Sequence, residues 1–571
     1  LANSPRYATI GSGNSGILTA GGGNNMAGEL SLYNCSYYSG GGLAINATIA
    51  DNGTGFPITV NTLGSVNLNY PNSYSGGTFI NEGELYLQSG ANFGYGPVYI
   101  LPGGRADFGG NNSATITNSF YIEGYGFGPG VNNEPGALKG SYNGAFTGPI
   151  TLLGNSQIDP NGGTWPSTCT FSGGFSGTGS LTIGGPSNVV AGVATIAGNC
   201  SYSGDTILDG SANANGGAGI FISSGRNNIM NHGGNLVLIG GSTSGKATFD
   251  LDGTTQTING LIATNGTTAN SWITNSSLTP AMLTIGNDNA DGIFGGRIVN
   301  GAGALALVKT GSGSEMLIGN NAYTGDTTVE DGTLALSGSG SISSSAVISV
   351  AANATLDASE LAGQTLPLSS GQSLEGDGIV NVNLLVNPGA TIMPGTTSIP
   401  GTLTVAGALQ LQGTTVIKLN SGSSDQIDAG SFVYGGALIV TNMGGALAAG
   451  QTFQLFLGGT YSGAFNAITL PSLGGGLGWS NNLAANGTMQ VVVTAKPRIM
   501  AIVLSGTKLI LNGTQGVANG HYQVLTSTNL ALPLSLWVPV LTNNFDGNGN
   551  FNITNSINPN VRQNFYILQI P

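Results

Sequence analysis

Charge is scarce in this chain. Asp, Glu, Lys and Arg together make up 6% of 571 residues, against about 25% in ordinary soluble domains. What charge there is has one dominant sign, since 12 Lys and Arg face 25 Asp and Glu for a net −13. No basic stripe exists to neutralise phosphates, so no nucleic-acid partner is expected. Cysteine and histidine are scarcer still. Three cysteines (Cys35, Cys169, Cys200) cannot all pair within one chain and define no disulfide framework. The two histidines, His232 in NHGG and His521 in NGHY, sit in turn-like text of separate segments. That supply supports neither Ser–His catalysis nor a Cys/His metal centre, and no cofactor is expected. No apolar run is long enough to span a bilayer, so no membrane insertion is expected. The first residue is Leu1, which reads as the start of a secreted chain whose signal segment has been removed.

Glycine, by contrast, is abundant. It occupies 99 positions, while 40% of the chain remains apolar. Disordered chains are rich in charge and poor in β-branched and aromatic residues, whereas here Val, Ile, Leu and Thr recur in short runs. The composition therefore points to an ordered all-β chain. Its clearest passage is KTGSGSEMLIGNNAYTGDTTVEDGTLALSGSGSISSSAVISVAANATLD, from Lys309 to Asp357. Strands this short, joined by turns this frequent, can bury a face only by stacking on copies of themselves. Stacking also explains the missing charge, because equivalent residues lie about 4.8 Å apart in successive rungs, where like charges repel.

The passage has relatives throughout the chain. NSYSGGTFINEGELYLQ at 72–88 aligns with 321–336, and similar turns occur at NGAFTG (143–148), Phe175–Gly177, NCSYSG (199–204) and Tyr461–Gly463. Leu334, Leu356, Ile379 and Leu403 are separated by 22, 23 and 24 residues. That is the length of one coil of a three-sided, right-handed parallel β-helix with Gly or Asn at its corners. Val329, Leu334, Leu336, Val347 and Leu356 are expected to point inward, and the turn aromatics Tyr74, Phe146, Tyr202 and Tyr323 to stack on the neighbouring rung. Cys35 and Cys200 share the phrase Asn-Cys-Ser-Tyr but would lie several rungs apart, and all three cysteines read as small buried hydrophobes.

Four segments follow. Residues 1–24 form an N-terminal strand without a clear rung, able to add to a neighbouring copy. Residues 25–400 carry the solenoid repeats, and 401–495 its atypical closing coils, with Trp479 at the end. From 496 to 571 strands recur every 8 to 15 residues, the spacing of a small β-sandwich. This last segment holds Lys496, Arg498, Lys508 and Arg562 against Asp546, a charge of +3 beside −16 for the rest. These four cations are candidate contacts to an acidic neighbouring subunit.

Other polar clusters read as structural. Asp250 with Asp252, and Asp288 with Asp291, could suit glycoside chemistry, but both pairs lie inside repeat phrases without a nearby cation. Asp546, Asn548 and Asn550 look like half of a calcium loop, yet Phe551 stands where the bend needs Gly and no Glu closes the loop, so a hairpin turn is expected. Asn46 and Asn265 begin chance glycosylation triplets of an Asn- and Thr-rich chain.

The passage from Lys309 to Leu336 resembles the autotransporter-associated β-strand repeat of large bacterial surface proteins, and 72–88, 247–260 and 282–309 look like further parts of that unit. The 401–493 segment is similar to the end of such arrays, and the last 75 residues resemble a short β domain that closes many of them. The resemblance implies a secreted or surface-exposed solenoid. It implies no common chemistry, and no text here resembles a translocator barrel. The expectation is a non-enzymatic extracellular structural protein that self-assembles end to end into a fibre or layer, a homopolymer with an open, heterologous interface. A monomeric surface adhesin that binds glycan is the alternative, and a polysaccharide-active β-helix enzyme a third.

Overall fold

The computed structural model describes residues 8–570 apart from 13–15, 24, 35–41, 89, 110–113, 128–135, 141–142, 161–166, 185–191, 212–219, 223–224, 231–232, 242–244, 264–267, 475 and 495. The chain divides into two compact units, one running to Pro367 with Gly371–Leu374 and Gly378–Val382, the other comprising Leu368–Ser370, Glu375–Asp377 and Asn383–Pro571.

The first unit is a β-solenoid whose strands pair in parallel, each with its equivalent one coil later. Ala281–Ile285 pairs residue for residue with Leu305–Lys309, which pairs with Thr327–Val329, which pairs with Val347–Val350. Because register is conserved, alternation along each strand becomes columns across strands. One inward column reads Leu283, Leu307, Thr327, Ile348, and its neighbour Ile285, Lys309, Val329, Val350, all buried. A second ladder carries Gly292, Glu315, Leu334, Leu356 and Val380 in one column. Two expectations are corrected by this register. Val380, not Ile379, continues the Leu334 column, and Ile379 lies exposed beside it. Val347 likewise is half-exposed, with Ile348 and Val350 turned inward.

Corners stack as strictly as strands. Gly286, Gly311 and Gly332 all have positive φ (91°, 68° and 63°). A Cβ on Gly311 would meet the Gly286 carbonyl at 2.1 Å, and one on Gly332 the Gly311 carbonyl at 2.4 Å. Only glycine fits both the backbone conformation and the approach.

The aromatic turns are built on a local hydroxyl pair. In YSGGT, YSGDT and YTGDT the buried tyrosine meets the threonine four residues on, as Tyr74 with Thr78 at 2.7 Å, Tyr202 with Thr206 at 2.5 Å and Tyr323 with Thr327 at 2.7 Å. In FTGPI, Phe146 lacks the hydroxyl and Ile150 stands where threonine would. Phe146 stacks as expected, on Phe171 at 4.9 Å with planes 11° apart. It also belongs to a run of edge contacts with Phe108 and Phe120, rings whose burial contributes about 1.5–3 kcal/mol each. Two residues before the tyrosine, Asn72 and Asn321 accept backbone N–H groups from the preceding coil, Ile49 and Ile298, both at 2.9 Å.

The described N-terminal residues also belong to the stack. Ala8–Ile10 pairs with Leu43–Ile45, and Ile17–Leu18 with Thr48–Ile49. The expectation of a segment without a rung is therefore corrected: these residues pair in parallel within their own chain.

In the second unit, Thr391–Pro394, Thr414–Asn420, Ala437–Asn442 and Ala467–Thr469 form one parallel ladder. Thr402–Leu411, Gln426–Tyr434, Phe456–Gly458 and Tyr461–Gly463 form another. Pairing then turns antiparallel in a small sheet of Thr452–Gln454, Thr488–Val493 and Leu477–Asn482, where the Trp479 indole N–H donates to the Pro471 carbonyl at 3.1 Å. The terminal β-sandwich sets Arg498–Ser505, Lys508–Thr514 and Phe551–Ser556 against Val538–Asn544, His521–Ser527 and Phe565–Gln569, all antiparallel. Its core is Leu511, Tyr522, Val524, Phe545, Phe551 and Ile553.

Thr327→Val should lower stability by about 1–2 kcal/mol by orphaning the buried Tyr323 hydroxyl, and Tyr323→Phe by less, because Thr327 keeps its hydrogen bond to Ser345 at 2.9 Å. The double substitution, which copies the Phe146 and Ile150 pair, should cost less than the sum in a thermal or denaturant double-mutant cycle. Gly325→Ala should cost about 2 kcal/mol or more, because its Cβ would sit 2.5 Å from the Leu305 carbonyl oxygen.

Candidate functional site

The first strand of the terminal sandwich is long and apolar yet uncovered. Arg498–Ser505, with sequence RIMAIVLS, is exposed at all eight positions, including Met500 (66%), Ile502 (68%) and Leu504 (63%). It pairs on one side with Lys508–Thr514 and, among the described residues, on no other side. It contributes nothing to the sandwich core. Natural edge strands are usually blunted by charge, proline or brevity. Here the interior of the strand is apolar, and the charges stand at its ends, Arg498 at its start and Lys508 at the start of its hairpin partner. Leu530, Leu534, Leu536 and Val538 of the same domain are also exposed. The four candidate cations Lys496, Arg498, Lys508 and Arg562 all lie at the surface.

The polar clusters act as joints between rungs. Asp250 ends the Ala247–Asp250 strand, is buried, and accepts the N–H groups of Asp252 (3.0 Å) and Ser276 (2.9 Å). Asp252 lies in the following turn with φ 48°, so the two do not share a strand face. Asp291 accepts the Ser314 N–H at 2.7 Å, and the Asp288 N–H donates to Asn259. Asp546 accepts N–H groups of Asn548 and Asn550 and the Asn550 amide, which holds its carboxyl below the usual range. That loop joins the two sheets of the sandwich, not two paired strands, which corrects the hairpin expectation. His521 Nδ1 meets Asn544 Oδ1 at 2.7 Å across a strand pair. Asn46 Oδ1 takes a hydrogen bond from Asn69. Cys169 and Cys200 are buried and free, with thiols pushed up to about 12 by desolvation. Cys35, His232 and Asn265 lie outside the described residues. Among the described residues no group of three or more His, Cys, Asp and Glu is placed to hold a metal ion.

Buried charge is what composition concealed. Glu84 and Arg105 form an ion pair at 2.5 Å, Asp107 and Lys139 one at 3.2 Å, and Lys418 and Asp425 one at 2.7 Å, each largely shielded from solvent. Lys309, fully buried, donates to the carbonyls of Thr310 and Gly311 at 2.7 Å and of Asp331 at 3.3 Å. Glu315, in the same coil, points inward in a column of leucines. Its Oε2 accepts the Leu261 N–H at 3.2 Å, and Oε1 has no hydrogen-bond partner. A signal for these was present in the text, because in KTGSGSEML the alternation places Lys309 and Glu315 at inward positions.

Burial pushes the Glu315 carboxyl from an ordinary 4.5 up to about 8. The folded state therefore holds a proton that the unfolded state has released between those values, and this group's contribution to stability falls as pH rises from about 4.5 to 8. Glu315→Gln should remove about one proton, or roughly tenfold per pH unit in the unfolding equilibrium, from the pH dependence in that window. Melting curves at pH 5 to 8.5 measure this, and an unchanged slope would refute the assignment.

Among the described residues no helix is long and apolar enough to cross a membrane. No curated protein matches the chain. Two segments, residues 63–87 and 307–336, match the family described as the passenger-associated transport repeat. In the structure the first contains Thr78–Leu87 and its Tyr74–Thr78 turn, the second the Lys309, Glu315 and Tyr323–Thr327 coil. The chain is thus a parallel β-solenoid, two segments of which match the passenger-associated transport repeat.

Proposed function

We propose that this chain is a non-enzymatic, extracellular structural protein whose solenoid subunits join end to end into a surface fibre or layer. The observation that carries the reading is the Arg498–Ser505 strand, apolar within, exposed along its whole length and, among the described residues, unpaired on one edge. An unpaired edge is a template for another strand. A second copy is the occupant favoured by charge, since the +3 terminal segment complements the −16 remainder. Such a head-to-tail contact uses different surfaces of the two copies and does not close on itself. The alternatives, a monomeric glycan-binding adhesin and a polysaccharide-active enzyme, differ in what they predict for the isolated protein.

Electron microscopy and mass photometry of the purified chain should show linear assemblies that shorten as salt rises. Ile502→Lys with Leu504→Lys should shift assembly to at least tenfold higher concentration while leaving the melting temperature nearly unchanged, both side chains being exposed already. Isolated particles for the parent chain at every concentration would refute assembly. Retention of those particles on polysaccharide would favour the adhesin, and cleavage of it the enzyme.

A further inference from the structure

The most unusual side-chain cluster outside the terminal domain lies on the first unit's solenoid. Thr78–Leu87 pairs with Gly104–Asp107, which pairs with Leu138–Lys139. Asp107 and Lys139 are direct partners in that register, so their side chains leave adjacent rungs on the same face. Lys139 Nζ lies 3.2 Å from Asp107 Oδ2, with the two side chains 11% and 3% exposed. The other carboxylate oxygen, Oδ1, accepts the Gly109 N–H at 2.7 Å. Glu84, also buried, stands on the preceding rung in register with Arg105, two residues before Asp107 on the same strand, and the Asp107 charge acts on its carboxyl. Arg105 holds Glu84 in place through Nε at 3.0 Å and Nη2 at 2.5 Å, and is itself covered by the Phe127 ring at 6.0 Å. Asp159 is the partner of Lys139 on the following rung.

An amine, an acid and a second acid converge here in a water-poor site. We propose that Lys139 and Asp107 condense spontaneously into an intramolecular amide, with Glu84 relaying the proton, so that two coils of the solenoid are covalently tied. A proton passes from the Lys139 ammonium to the carboxyl pair, and the neutral amine attacks Asp107 Cγ. A C–N bond forms and the bond from Cγ to Oδ2 breaks. Oδ2 leaves as water with the proton donated by Glu84, which regains one from the nitrogen. An ammonium and a carboxylate become a neutral amide and one water, so charge and atoms balance and no co-reactant is needed. Three physical factors favour the step. The register holds the reacting groups together, and the Gly109 N–H faces the oxygen that carries charge in the tetrahedral intermediate. Burial also destabilises the ion pair that the amide replaces. Consistent with the relay, burial pushes the Glu84 carboxyl up to about 7, where it holds and releases a proton near neutrality.

Lys418 and Asp425 supply an internal control. They lie closer, at 2.7 Å, and as deeply buried, but both Asp425 oxygens accept backbone N–H groups, from Gly401 and Lys418. With both oxygens held in this way, whereas Asp107 has only Oδ1 so engaged, this pair is expected to remain ionic.

The test is the intact mass of the purified full chain with tandem mass spectrometry of its peptides. The expected result is a chain lighter by one water, about 18 Da, and a branched peptide joining Asp107 to Lys139. Glu84→Gln keeps an acceptor for Arg105 but removes the acid, and Lys139→Arg keeps the charge but removes the nucleophile. Both should return the full mass while circular dichroism shows the solenoid intact. A parent chain at full mass overturns the proposal. So does a water loss that persists in Lys139→Arg, or that maps to an Asp-Gly step or to Lys418.

Discussion

Parallel, in-register pairing between successive coils is the constraint on which the rest of this structure depends. Each backbone N–H must find a carbonyl one coil away, because buried polar groups left unpaired are costly. Residues at equivalent positions are thereby forced into contact, and the chain's composition follows from what tolerates such contact. Threonine, asparagine and aromatics do. A repeated charge does not. Where charge enters the stack, it does so by opposition, as in the column Asp107, Lys139, Asp159, or with backbone carbonyls as partners, as at Lys309.

The same constraint explains which parts of the fold were legible in the text. The coil length and turn phrases gave the solenoid, and the wider strand spacing after residue 496 gave the sandwich. Individual facing was less secure. Ile379 is followed by Val380, and Val347 by Ile348, so either neighbour fits an apolar pattern and only the pairing register selects between them. The tyrosine turns were visible as motifs, but their hydroxyl partners were hidden by the assumption that rings stack on rings. Comparing YTGDT with FTGPI would have exposed the coupling, because the hydroxyls are absent together.

The candidate sites were harder to read for physical reasons. A low charge count does not reveal that several of the few charges are buried. Glu84 and Lys139 are separated in sequence by two coils, and their convergence on Asp107 depends on a register that no local pattern encodes. The exposed edge strand was misleading in the opposite direction. RIMAIVLS reads as a core strand, and nothing in its own text says that its sandwich leaves both faces uncovered.

The glycine column at Gly286, Gly311 and Gly332 has a bearing on how such a chain can change over generations. Each corner fits only against an equivalent corner below, so the differing spans from Gly286 to Gly311 and from Gly311 to Gly332, 25 and 21 residues, are taken up between corners. Whole coils, by contrast, can be duplicated or lost with their contacts preserved at both cut ends. The number of rungs is therefore a quantised trait, open to recombination, while the length of any one coil can drift in the turns between its corners.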